Sequence, residues 1–165
     1  MKTAILGSGG HAHVLRDILG SDSYFVQYDE VPNPEDFVVI GLGDIVKRII
    51  LFDKHSENVV SVRHLSAIVE PSARVPVGTQ LLAKSFIGSR AKLGVNVLIN
   101  TGAQVDHDCI IGNHCHIAPG VILCGGVTVG EGTFIGAGAI VPEGSVIPAN
   151  SFVKAGTVWR NTSPS

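Results

Sequence analysis

Along residues 67–156 the apolar and polar positions follow a strict period of six. The blocks read AIVEPS, ARVPVG, TQLLAK, SFIGSR, AKLGVN, VLINTG, AQVDHD, CIIGNH, CHIAPG, VILCGG, VTVGEG, TFIGAG, AIVPEG, SVIPAN and SFVKAG. The third position is Val, Ile or Leu in all fifteen, and the first is Ala, Ser, Thr, Cys or Val. Alternation at these two positions puts both side chains on one face of a short strand. Gly, Pro and Asn crowd the last three positions, where the chain must turn. Neither a block nor a single coil buries its aliphatic residue alone, whereas stacked coils bury a continuous column. The pattern therefore predicts a solenoid of one strand per block.

The first 66 residues follow a different rhythm. Short apolar strands are expected at Lys2–Leu6, Tyr24–Tyr28, Phe37–Ile40 and Val59–Val62. Helical stretches are expected at His13–Leu19 and from an Asp44 cap to about His55. This alternation predicts a small parallel α/β sheet. After the first strand, GSGGHA at 7–12 would let backbone approach a phosphate at a helix N-terminus. Asp29, after the second strand, is placed to accept hydrogen bonds from a ribose. The motif also fits G-x-G-x-x-A, but the region is too short for the two halves of a dinucleotide site. The competing readings are a tight packing turn and a mononucleotide or sugar-nucleotide site.

The repeat resembles the hexapeptide repeat of left-handed parallel β-helices. In that fold three blocks make one triangular coil, so these residues imply about five coils. The left hand comes from the resemblance, since crossover physics alone favours the right. The expected organisation is a Rossmann-like domain at 1–66, the β-helix at 67–156 and a C-terminal cap at 157–165, with Trp159 over the open top of the last coil.

Composition narrows the partners. Charged residues are 16% and apolar residues 45%, enough for a sizeable core. A net charge of −2 argues against a nucleic-acid partner held by its phosphates. No 18-residue apolar run implies membrane insertion, and MKTAILG is too short for a signal-peptide apolar region. Cys109 and Cys115 fall at the small inward position, where free Cys acts as a small hydrophobe. A soluble cytoplasmic protein is expected.

The solenoid breaks its bland outward composition at AQVDHD-CIIGNH-CHIAPG, which carries Asp106, His107, Asp108, His114 and His116. Solvated turn residues, a metal site and acid–base chemistry are the three readings. The inward cysteines and the block spacing account for the His/Cys density without a metal. A His beside a carboxylate takes a proton near neutral pH. Residues 18 apart lie one above the other at about 4.8 Å, so His107 lies under Gly125. Glycine leaves room over the imidazole and a reachable backbone N–H, an arrangement suited to acyl transfer. His116 lies half a coil from His107 and faces another side, near Asn100. Pro119, Ala137 and Ala155 form a column of small groups there, able to floor a groove for a long thin ligand or simply to turn the chain. The two histidines meet only if two solenoids pack side by side.

Taken together, GSGGHA, the strand ending in Asp29-Glu30, VVIGLG before a helix, HLSAIVEPSARV and LINTGAQVDHDCIIGNHCHIAPGVILCGGVTVG resemble the NeuD-type sugar O- and N-acetyltransferases. The resemblance implies an acetyl-CoA-dependent enzyme without metal. Its general base falls on His107 and the orienting acid on Asp108. Acetyl-CoA contacts fall on Asn100, His116, Gly125, Ala137 and Ala155. Sugar-nucleotide contacts fall on Gly9, Gly10, His11, Asp29 and Gly41. A homotrimer with sites between subunits is implied, acting on the amine of a nucleotide-linked amino sugar, with O-acetylation of a sialic acid as the alternative. A non-catalytic β-helix scaffold and a dehydrogenase are the readings from other classes. Three features depart from the family pattern: Asp108 where amine-acetylating members often carry Glu, the short Val31–Asp36 connection, and a C-terminus without Gly-x-Pro-Ala-Lys.

Overall fold

The computed structural model describes residues 1–160. The chain opens with β1 (Thr3–Leu6), α1 (Gly10–Leu19), β2 (Ser23–Val26), β3 (Phe37–Ile40) and α2 (Ile45–Lys54). The three strands form a parallel sheet in the order β2-β1-β3. Asp44 caps α2, its Oδ1 accepting the Lys47 N–H at 2.9 Å. Helix α1 starts inside the glycine turn rather than after it, with Gly9 as its N-cap.

From residue 62 the chain forms two-residue strands that stack into three parallel sheets, and the architecture is a left-handed parallel β-helix. One sheet joins β4 (Val62–Arg63), β6 (Gln80–Leu81), β9 (Leu98–Ile99), β12 (His116–Ile117), β15 (Phe134–Ile135) and β18 (Phe152–Val153). The second joins β5 (Ile68–Val69), β7 (Phe86–Ile87), β10 (Gln104–Val105), β13 (Ile122–Leu123) and β16 (Ile140–Val141). The third joins β8 (Lys92–Leu93), β11 (Ile110–Ile111), β14 (Thr128–Val129) and β17 (Val146–Ile147). Pairs such as Val105 with Leu123 and Ile117 with Ile135 hold the 18-residue register throughout.

Third-position residues from Leu81 to Val153 are buried, and together with the inward first-position residues they form one continuous cluster. A buried aliphatic side chain contributes roughly 1.5–3 kcal/mol, so the column holds the stack where no single coil could. The sixth position has a positive φ in every block from Gly78 to Gly156, including Arg90 (61°) and Asp108 (60°). Each corner is therefore made by one left-handed residue, which explains the Gly, Asn and Asp found there. Trp159 packs on the core at the last coil, its N–H on the Ile140 carbonyl at 2.8 Å. Residues 161–165 of the expected cap lie outside the described residues.

The α/β sheet sits on the β-helix. Ile5, Ala12, Leu15 and Val39 pack with Val62, Leu82 and Leu98 in one buried cluster. The fourth strand expected at Val59–Val62 is divided by this docking. Val59 makes a single parallel bridge with Val38, while Val62 pairs with Gln80 in the β-helix. The chain changes sheets within those four residues, because the β4 ladder captures Val62 before a fourth α/β strand forms.

Candidate active site

His107 stands in the turn between β10 and β11. Its Nδ1–H lies 2.8 Å from Asp108 Oδ2. Arg90, one coil below, grips the same carboxylate with both arms: Nε to Oδ1 and Nη2 to Oδ2, each at 2.7 Å. One coil above, Gly125 is buried against the imidazole, and a methyl group there would lie 2.6 Å from His107 Cε1 and 2.8 Å from Nε2. Any larger residue at this position would collide with the ring. The Gly125 N–H makes no hydrogen bond among the described residues.

Electrostatics follow from this geometry. The hydrogen bond to Asp108, then the charge of Asp106, raises the His107 pKa above the ordinary imidazole value, while the Arg90 charge opposes the rise. Hydrogen bonds from Arg90 and His107 hold the Asp108 carboxyl far below the usual carboxylate range. With Nδ1 donating to Asp108, Nε2 is left as the basic nitrogen.

His116 occupies a different environment. It is buried, with Nδ1 3.0 Å from the Gly43 carbonyl and Nε2 3.3 Å from Asn100 Nδ2. A carbonyl only accepts, so Nδ1 carries the proton and Nε2 accepts from Asn100. Burial, with the charge of Arg48 beside it, pushes the His116 pKa down to about 4. His116 is therefore a neutral imidazole of fixed tautomer. Its ring meets Phe134 edge-on at 4.9 Å, and Phe134 stacks on Phe152 at 5.4 Å. Pro119, Ala137 and Ala155 form the expected exposed column, with the Gly138 N–H on the Pro119 carbonyl and the Gly156 N–H on that of Ala137. No hydrogen bond or ring contact joins His107 to His116, Asn100, Ala137 or Ala155.

The N-terminal candidates divide into open and packed positions. At Gly9 and Gly10 nothing lies within 4 Å of where a side chain would start, so the beginning of α1 is accessible. Asp29 is exposed after β2 and makes no side-chain hydrogen bond among the described residues; its neighbour Glu30 accepts the Gln27 N–H at 3.0 Å. His11 Nε2 lies 2.8 Å from Gln80 Oε1, and burial lowers its pKa. Gly41 has a packing reason of its own: a methyl there would meet Ala12 Cβ at 2.8 Å and Ile5 Cγ2 at 2.9 Å.

Two further residues belong to this region. Arg90 is legible in the sequence, since it stands 18 residues before Asp108. Arg48 is not, because a lone Arg in IVKRII reads as a solvent-facing helix residue. It is 1% exposed and bridges the two parts of the chain, donating to the carbonyls of Ile40, Leu42 and Asn96, to Gln80 Oε1 and, at 2.7 Å, to Asn96 Oδ1. Among the described residues it has no carboxylate partner, and burial pushes its pKa down to about 10.

Among the described residues no group of three His, Cys, Asp or Glu is arranged to hold a metal ion. Cys109 and Cys115 are buried, donating to the carbonyls of Cys124 and Gly130, and burial pushes both thiols up to about 11. No described helix is long and apolar enough to cross a membrane.

Residues 84–125 match the family model described as bacterial transferase hexapeptide (six repeats). Among solved structures, PerB from Caulobacter crescentus, in complex with CoA and GDP-perosamine, is 34% identical. It matches over 97% of this chain and 89% of its own, with a TM-score of 0.90. A variant of GDP-perosamine N-acetyltransferase from the same organism is 32% identical over 97% and 89%, with a TM-score of 0.89. The acetyltransferase domain of PglB from Neisseria gonorrhoeae, in complex with acetyl coenzyme A, is 26% identical over 94% and 88%, with a TM-score of 0.85. Identity at this level, carried across both the α/β sheet and the β-helix, places the chain in the NeuD-type family of hexapeptide-repeat sugar acetyltransferases.

Proposed function

We propose that this chain transfers the acetyl group of acetyl-CoA to the amine of a nucleotide-linked amino sugar, at sites formed between subunits of a homotrimer. The observation that carries the reading is the stack of Asp108, His107 and Gly125. His107 Nε2 takes the proton of the amine as its nitrogen attacks the thioester carbonyl. The Gly125 N–H, adjacent to that ring, donates to the oxygen that gains charge. Collapse of the adduct releases CoA thiolate, and the imidazolium returns the proton to it.

The trimer reading rests on where the two groups stand. The strands β10, β13 and β16 begin at the Pro119–Ala137–Ala155 corner and end at the His107–Gly125 corner. The outward face of this sheet exposes Ile68, Ile122 and Ile140, with the polar Gln104 between them. A closed threefold arrangement with this sheet toward the axis covers these isoleucines. It also brings the end of one chain's strands to the start of its neighbour's. His107 and Gly125 of one subunit then share a site with Asn100, His116 and the alanine column of the next.

The amino-sugar substrate is supported by PerB, whose complex holds GDP-perosamine, and by the open start of α1, where glycine N–H groups suit a phosphate. Mass spectrometry of products, from acetyl-CoA with a panel of nucleotide-linked amino sugars and sialic acids, tests the reading. Acetylation of a nucleotide amino sugar is expected; acetylation of sialic acids alone would overturn it. For the nucleotide contact, Asp29→Ala should weaken the acceptor by roughly tenfold, the loss of a charged hydrogen bond, and leave acetyl-CoA affinity unchanged. Calorimetric titration checks this, and equal acceptor binding by both proteins would remove Asp29 from the site.

A further inference from the structure

We infer that Arg90 is a positioning residue for the candidate base, acting on His107 through Asp108. The inference rests on the reading of His107 as the base.

Asp108 is largely open to solvent, with its side chain 44% exposed. An exposed carboxylate on a turn is free to rotate unless something holds its plane. The corner geometry supplies the holder. Arg90 and Asp108 are both sixth-position residues in the left-handed conformation, so their side chains leave the solenoid in the same direction one coil apart. Backbone contacts seat each of them: the Arg90 N–H on Ser72 Oγ at 3.0 Å, and the Asp108 N–H on the Ser89 carbonyl at 3.0 Å. The guanidinium fork then takes both carboxylate oxygens, which fixes the plane as well as the position. Oδ2 is left directed at His107 Nδ1, and that contact sets the tautomer that frees Nε2.

The fork also sets charge. Asp106 and Asp108 both favour the imidazolium, Arg90 is the cation that opposes them, and Gly125 above brings no charge. The opposing Arg90 charge is the smallest of these effects, smaller than the Asp108 hydrogen bond that the fork holds in place. Exposed ion pairs contribute little to stability, and the Arg90 side chain is 64% exposed. The expected consequence therefore falls on the reaction rather than on the fold.

The test compares parent, Arg90→Met, Arg90→Lys, Asp108→Asn and the Arg90→Met/Asp108→Asn double variant over a pH series. Arg90→Met should lower kcat roughly tenfold, the size of a coupled contact, with both KM values and Tm near the parent's. Its acid limb should move to lower pH, because Asp108, no longer held, loses the hydrogen bond that is the largest cause of the raised His107 pKa. Arg90→Lys keeps the charge but cannot fix the carboxylate plane, so it should restore neither the limb nor kcat in full. In the Asp108→Asn background, Arg90→Met should add no further loss. A parent-like kcat and limb in Arg90→Met would overturn the inference, as would the same fold loss with and without Asp108. NMR titration of the His107 imidazole reads the contact without turnover, and its pKa should fall in Arg90→Met as the Asp108 hydrogen bond is lost. An unchanged or raised titration would overturn the positioning role. A parent-like rate in His107→Ala would instead remove the base assignment, and the NMR result still stands on its own.

Discussion

His107→Ala is expected to lower kcat by about 10²–10⁴, the usual contribution of a positioned general base, while acetyl-CoA binding stays near the parent value. The imidazole is exposed and makes no core contact, so the variant should fold normally. Among the described residues its side chain bonds only Asp108, and its removal leaves that carboxylate exposed on the Arg90 fork. The pH dependence should agree. A base works only when unprotonated, so activity is present above the His107 pKa and is lost as pH falls through it. Asp108 and Asp106 raise that pKa, so the acid limb of kcat should lie above 6.5, the ordinary imidazole value. His116 is held near pKa 4 by burial and stays neutral across the range, so it contributes no limb near neutrality. Steady-state kinetics over a pH series, with calorimetric titration of CoA, checks both expectations. Parent-like turnover in His107→Ala would remove the assignment.

The second large effect is recovery of activity from two inactive proteins. Ala137 is exposed in the small-residue column, so Ala137→Trp should block the proposed CoA groove without disturbing the core. His107→Ala removes the base. If each site takes His107 from one subunit and the column from the next, a mixed trimer always contains one interface free of both defects. About three quarters of random trimers are mixed at equal ratio, so activity should recover to roughly a quarter of the parent value. If both halves of the site belong to one chain, no mixture recovers activity, because every chain carries one defect. Subunit exchange in mild denaturant followed by assay distinguishes the cases; reassembled trimers that stay inactive at every ratio would sink the shared site.

The sequence by itself determined the solenoid and everything that depends on its period. A constant 18-residue spacing turns position in the chain into position in space, because each coil contacts only its neighbours. That rule places His107 under Gly125, and it places Arg90 under Asp108. It also places the alanine column away from His107. The left-handed sixth position follows from the same period, although only its Gly, Asn and Asp members announce it.

Tertiary structure alone decided what happens where the α/β sheet meets the β-helix. That interface has no period. Gly43 reaches His116, His11 reaches Gln80, and Arg48 reaches Asn96 only because two apolar surfaces dock there. The same docking splits the segment Val59–Val62 between two sheets and buries a cation with no carboxylate beside it. Docking is decided by the fit of side chains far apart in the chain, and a buried Arg48 leaves the same residue pattern as an exposed one. His116 therefore reads as one more outward histidine in the sequence, whereas the interface makes it a buried, neutral ring with its tautomer set by a backbone carbonyl.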